Sequence, residues 1–275
     1  MRNVLLITVD CLRADALGYA GYRRRLTPNI DALAGSAVVF ENAFSTGPRT
    51  TESFPALLAS TYPLSFGGSF DLPETCITLA EVLRNSGYVA GAFHSNPFLS
   101  AGLGYDKGFC DFWDSRESTP ISSKLSALAM KWLKYNDQSS LWRALRRLVR
   151  RFESSVGMAH YVRAEEVNAR AIGWLEAQTG PFFLWIHYID MHYPFNPPAE
   201  HIRRVRPQGV SRAQQADILV RSLEDPGSIR PDEAQVLRDL YDAGLSYVDE
   251  NVGRFLQHLE QANLVRRAKP VLRRP

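Results

Sequence analysis

The six residues Val4-Leu5-Leu6-Ile7-Thr8-Val9 form an almost continuously apolar, β-branched run, and Asp10 ends it. A run this short and this apolar suits a strand buried on both faces of a parallel sheet. Such a sheet needs helices on both sides, so the run constrains the whole architecture. A second run, Pro181 to Ile189, is entered from a Gly-Pro turn and ends at Asp190. In open α/β sheets ligands bind beyond the carboxyl ends of the strands, so an acid directly after a buried strand is a candidate for chemistry. A cap on the following turn would explain either aspartate equally well, and position alone leaves both readings open.

The intervening chain alternates between the two periodicities. Thr27-Pro28-Asn29-Ile30-Asp31 predicts a helix with Thr27 as N-cap and Pro28 at its first position, and Ala37 to Phe44 predicts a second strand. Helices follow at about Thr51 to Ser60 and Leu79 to Asn85, then a strand from Val89 to Phe93. Longer charged helical stretches are predicted over Ser122 to Ser154 and Val162 to Gln178. Pro207 to Pro231 reads as a helical insert between loops, and Asp232 to Ala262 as a long final helix. The fold class is therefore α/β with a mostly parallel sheet, as one domain over 1–264 with a helical insertion at about 115–178 and a basic tail over 265–275.

With a formal net charge of only +3, nucleic acid is not an expected partner. The positive charge gathers at Lys131 to Arg151 and at Arg266 to Arg274. In Lys131 to Phe152 it is interleaved with Trp132, Leu133, Trp142 and Leu145, which fits either a membrane-surface helix or one packed on the domain with a basic solvated face. The three cysteines, Cys11, Cys76 and Cys110, show no metal or disulfide spacing. With no run approaching a membrane span and a first apolar run too short for a signal segment, the expected location is cytoplasmic.

The segments Asn3 to Asp15, Thr27 to Ala34, Phe40 to Ser45, Ala56 to Pro63, Pro181 to Pro198 and Tyr241 to Asp249 together, and in this order, resemble the sulfatases of the alkaline-phosphatase superfamily. The resemblance covers most of the chain. It implies an alkaline-phosphatase-like three-layer αβα sandwich, a small-molecule sulfate or phosphate ester as substrate, and a divalent metal ion: calcium, magnesium, manganese or zinc. It makes Asp10 a metal ligand. An ungapped register from Asn42-Ala43-Phe44 to Tyr62-Pro63 puts Thr50 at the nucleophile position, where sulfatases usually carry a cysteine oxidised to formylglycine, and Thr50 would also meet the metal. A threonine hydroxyl is a poor nucleophile at neutral pH, but metal coordination and a helix N-terminus both favour its attack on an anionic ester.

The same resemblance gives His192 the task of binding the transferring group or protonating the leaving oxygen, for which an imidazole is suited near pH 7. His94 and Asn96 follow a predicted strand near where many sulfatases carry a lysine and a histidine, which makes them candidate substrate-binding residues, with a structural turn as the other reading. His187 lies inside a strand and is expected to be a core residue. Cys11 stands where many sulfatases have a second acid, and Phe54 where the family has an active-site arginine. The family's later metal-ligand strand has no counterpart before the basic tail, so the sequence predicts a sheet incomplete at its C-terminal end and a truncated chain. The alternative function is a catalytically inactive sulfatase-like remnant or binding protein.

Overall fold

The computed structural model describes residues 2–68, 71–115, 161–264 and 271–273. The predicted helix Ser122 to Ser154, with its basic segment Lys131 to Phe152, lies outside the described residues. The regular elements are β1 (Val4–Val9), α1 (Pro28–Ala34), β2 (Val38–Phe40), α2 (Thr50–Ala59), α3 (Leu79–Asn85), β3 (Val89–His94) and β4 (Asp111–Trp113). They continue with α4 (Ala164–Glu176), β5 (Phe182–Tyr188), α5 (Ala199–Val205), α6 (Arg212–Glu224), α7 (Pro231–Gln261) and β6 (Val271–Arg273). The chain divides into two compact units, residues 1–116, 162–189 and 248–275 forming the first, and 117–161 and 190–247 the second.

The first unit holds a four-stranded sheet in the order β1-β5-β3-β4, every pair parallel. Strand alternation separates its two faces. Ala90, Ala92, Phe183 and Trp185 pack with Phe54 and Leu58 of α2 and Ala80 of α3. On the opposite face, Phe93 and Phe182 meet Trp174 of α4, with ring centroids 6.1 and 6.0 Å apart. Gly91 is required there: a Cβ on it would stand 2.7 Å from the Trp174 ring. α4 in turn donates from Asn168 Nδ2 to the Asn251 carbonyl of α7 (2.9 Å). Helices therefore cover both faces, as the apolar strands demand.

Two predicted strands differ from expectation. β1 is only half-buried along its length, whereas β5 is buried throughout. Among the described residues β1 has a single strand neighbour, so it is an edge strand rather than one enclosed on both sides. The second strand shrinks from Ala37–Phe44 to Val38–Phe40, because the chain bends at Glu41-Asn42. It pairs in parallel with β6, which lies within the basic tail, in a separate two-stranded sheet.

Thr27 does not cap α1 through its side chain. Its Oγ1 accepts the Gly18 amide and donates to Asp31 Oδ1, both at 2.9 Å. The N-terminus of α1 is instead held from α7: Asp249 accepts the backbone amides of Asn29 (3.2 Å) and Ile30 (2.9 Å) and the Asn29 side-chain amide (2.8 Å). Burial pushes the Asp249 carboxyl above the usual carboxylate range, against the pull of these three donors. Asp249→Ala leaves two helix-terminal amides without their acceptor in a buried place, with an expected stability loss of about 2–4 kcal/mol by urea denaturation.

In the second unit the predicted insert Pro207 to Pro231 contains one helix, α6, opened by a Ser211/Gln214 capping box. Ile218 packs with Val236 and Leu240 of α7, flanked by Phe195, Ile202 and Val210. Arg221 pairs with Asp217 of its own helix (2.8 Å) and with Glu233 of α7. These contacts hold α6 along the first half of α7.

Candidate active site

Asp10 continues the ladder of β1, its amide donating to the Tyr188 carbonyl at 2.8 Å. The next residue, Cys11, takes a left-handed backbone conformation (φ 54°) that turns the chain away, a conformation uncommon for a non-glycine residue. The Asp10 carboxylate is thus left at the carboxyl end of the sheet with its side chain 15% exposed. Oδ2 accepts from Asn96 Nδ2 (3.2 Å), and Oδ1 meets the Cys11 thiol (3.5 Å). Desolvation first, then the Asp10 charge and the hydrogen bond to it, push the Cys11 thiol up to about 12, so it is protonated at neutral pH.

Asn96 comes from the turn after β3 and is buried. Its Oδ1 accepts the Phe98 amide (3.0 Å), which fixes the flip of the side chain and aims Nδ2 at Asp10. The same Nδ2 lies 3.4 Å from His187 Nε2. His187 is completely buried, its Nε2 3.8 Å from Asp10 Oδ2 and its Nδ1 2.9 Å from Thr8 Oγ1. It is a core residue, as expected, but one that borders the strand-end carboxylate. The signal that could have revealed this is register: in a parallel pair ending at Asp10, His187 stands opposite Thr8.

His94 is also fully buried, beside Phe112 and Trp185 with ring centroids 5.1 Å away in each case. Its Nδ1 accepts the Asn96 amide at 3.2 Å, and its Nε2 has no hydrogen-bond partner among the described residues. Burial depresses its pKa to about 3.

Thr50 is the first residue of α2, and Arg49, not Thr50 or Thr51, is the N-cap. Thr50 is half-buried, and its Oγ1 bonds to no other described residue. Glu52 and Ser53 amides both turn back to the Arg49 carbonyl (3.0 Å each), so the Thr50 and Thr51 amides are the ones left at the positive end of the helix. Phe54, one turn on and on the same helical face, sets its ring edge against His187 with centroids 5.0 Å apart and tilts against Trp185 at 5.8 Å. The structure therefore joins Asp10 to Asn96 and, through Phe54, carries α2 onto the same sheet face as His187.

His192 belongs to the second unit. Its Nδ1 donates to the Tyr193 carbonyl (2.6 Å), and the Tyr161 ring stands edge-on at 6.0 Å. Nε2 is the ring nitrogen left for other work.

Asp10 meets one test for a divalent cation: among the described residues its sole possible cationic neighbour is His187, and the carboxylate is partly exposed and lacks a Lys or Arg partner. No group of three or more His, Cys, Asp or Glu side chains among the described residues could hold an ion by itself. Asp10 would supply one oxygen ligand to a hard divalent cation. No described helix is long and apolar enough to cross a membrane.

The chain is similar to iduronate 2-sulfatase of Mus musculus, 26% identical over 95% of this chain and 52% of that protein. Among solved structures it is similar to the phosphonate monoester hydrolase of Agrobacterium radiobacter, with a TM-score of 0.67 at 20% identity over 99% of this chain and 61% of that one. It is also similar to the C-terminal periplasmic domain of EcEptC from Escherichia coli in complex with zinc, with a TM-score of 0.60 at 14% identity over 95% and 60% of the two chains. At these identities the structural likenesses establish the fold: α/β with a parallel sheet, alkaline-phosphatase-like. The chain spans about half the length of the curated relatives that it matches over most of its own length. The family described as Sulfatase matches residues 2–268, nearly the whole sequence, and the chain belongs to the sulfatase family.

Proposed function

We propose that this chain carries the nucleophile-bearing part of a metal-dependent hydrolase of sulfate or phosphate esters, with the unmodified Thr50 hydroxyl as nucleophile. The observation that carries the reading is Asp10: a partly exposed carboxylate at a strand end with no Lys or Arg partner among the described residues, on the sheet face covered by the helix that begins with Thr50. Asp10 and Thr50 would hold a divalent ion, which would lower the hydroxyl pKa and offset charge on the ester.

Thr50, having lost its proton to solvent, attacks the sulfur or phosphorus as the bond to the leaving oxygen breaks. The free amides of Thr50 and Thr51 suit the anionic group being transferred. The sulfatase resemblance assigns the leaving oxygen's proton to His192, whose Nδ1 is committed to the Tyr193 carbonyl. Water then cleaves the Thr50 ester and restores the hydroxyl. The small-molecule ester is the proposed partner. A reducing, cytoplasmic setting belongs to the same proposal, from the odd cysteine count without disulfide spacing.

The test is hydrolysis of an aryl sulfate, an aryl phosphate and a phosphodiester with manganese, calcium, magnesium or zinc. Turnover of at least one ester is expected to disappear with EDTA and return on adding back one of these metals. Turnover indifferent to chelation would remove the metal and Asp10 from the mechanism.

A further inference from the structure

We propose that His187 and Asn96 are positioning residues, links of a hydrogen-bond chain anchored in the sheet that sets the orientation of the Asp10 carboxylate. The inference rests on the reading of Asp10 as a metal ligand and deepens it, by assigning what holds that ligand still.

Donor and acceptor accounting gives each bond its direction. Asn96 Oδ1 is committed to the Phe98 amide, so the group facing Asp10 Oδ2 and His187 Nε2 is the NH₂, which can only donate. Its two hydrogens serve the two acceptors, at 3.2 and 3.4 Å. His187 Nε2 must then be bare and the imidazole proton must sit on Nδ1, donating to Thr8 Oγ1 at 2.9 Å. Thr8 closes the chain consistently: its oxygen also accepts from Trp185 Nε1 (3.0 Å), and its single hydrogen goes to the Ile186 carbonyl (3.3 Å).

Both ends of the chain are held by rigid elements. Thr8 and Ile186 lie in paired strands β1 and β5, and Asn96 is tied to the turn after β3. Phe54 closes the His187 ring from the α2 side. The side chains concerned are completely or almost completely buried at His187 and Asn96, so solvent does not compete for the bonds. The result is a carboxylate with Oδ2 engaged from within the fold and Oδ1 meeting the Cys11 thiol. Groups in this relation to a metal ligand fix its orientation, and removing them typically weakens metal affinity by roughly 10–100-fold.

The experiment has two arms. Long-range ¹H–¹⁵N correlation on the wild-type chain reads the His187 tautomer, and the expected result is a proton on Nδ1 with Nε2 bare. Mn²⁺ titration by calorimetry compares wild type with His187→Phe and His187→Gln. The phenylalanine keeps the ring volume and loses both nitrogens, and a Kd raised roughly 10–100-fold is expected. The glutamine can offer Asn96 an acceptor again and is expected to recover part of the loss. Thermal melts identify any variant that has not folded, and the tautomer arm decides the matter without a variant.

A proton on Nε2, or unchanged Mn²⁺ affinity in folded His187→Phe, overturns the inference. Should the wild-type chain bind no Mn²⁺ and hydrolyse no ester, the proposed function fails instead. The positioning chain then stands or falls on the tautomer alone.

Discussion

Replacing Thr50 by alanine is expected to lower kcat for the hydrolysed ester by at least roughly a thousandfold, the scale at which losing a covalent nucleophile is felt. The fold should be untouched. Thr50 is the first residue of α2 rather than its cap, and its Oγ1 holds no described neighbour, so the substitution removes no capping bond. Alanine is the better helix former by a few tenths of a kcal/mol. Thr50→Ser keeps a primary hydroxyl in the same place and is expected to retain measurable turnover. A mass spectrum of the denatured wild-type protein quenched during turnover should show a sulfated or phosphorylated peptide that contains Thr50. Equal turnover by wild type and Thr50→Ala would end the assignment of this residue as nucleophile.

Acid should destabilise the folded chain through His94. Burial holds this imidazole at a pKa of about 3 in the folded state, against roughly 6.5 in an unfolded chain. The unfolded state therefore binds more protons at every pH between the two values. The stability that His94 contributes is complete above about 6.5, falls as the pH falls, and levels off below about 3. The slope is about 1.4 kcal/mol per pH unit, so about 2–3 kcal/mol should be gone by a pH of roughly 4.5. His94→Gln is non-titrating and can still accept from the Asn96 amide. Urea denaturation of both proteins at neutral pH and at the acidic point should show a smaller acid loss in the variant by about that amount. Parallel losses would mean that His94 is protonated in the folded state, and that the pocket beside Phe112 and Trp185 admits water.

These two residues illustrate different degrees of legibility. The position of Thr50 at a helix start could be expected from the turn residues before it and the apolar spacing after it, and α2 begins within a residue of the prediction. His94 and Asn96 were candidates for contact with substrate, since both follow a strand. The structure buries both side chains, and the Asn96 amide reaches Asp10. Burial of that kind depends on what the neighbouring strands and helices put above a residue, which no local pattern encodes.

Phe54 shows the same division. In sequence it is the residue standing where an arginine is expected. In the structure it is a buried ring bridging α2 to Trp185 and His187, so the site's inner wall is apolar where the family pattern leads one to expect a cation.

The sequence by itself determined the parallel α/β sheet, the termination of β1 at Asp10, a helix from about Thr51 and the membership of the family, because each is carried by short-range patterning or by motifs contiguous in the chain. Only the tertiary structure decided that β1 has one strand neighbour among the described residues, that β2 pairs with β6 apart from the main sheet, and that Thr8, His187, Asn96 and Asp10 join in one hydrogen-bond chain. Thr8 and His187 are 179 residues apart and Asn96 and His187 are 91 apart. Their meeting is a consequence of strand order and register, and a hydrogen bond has an orientation only once both of its partners have been brought into place.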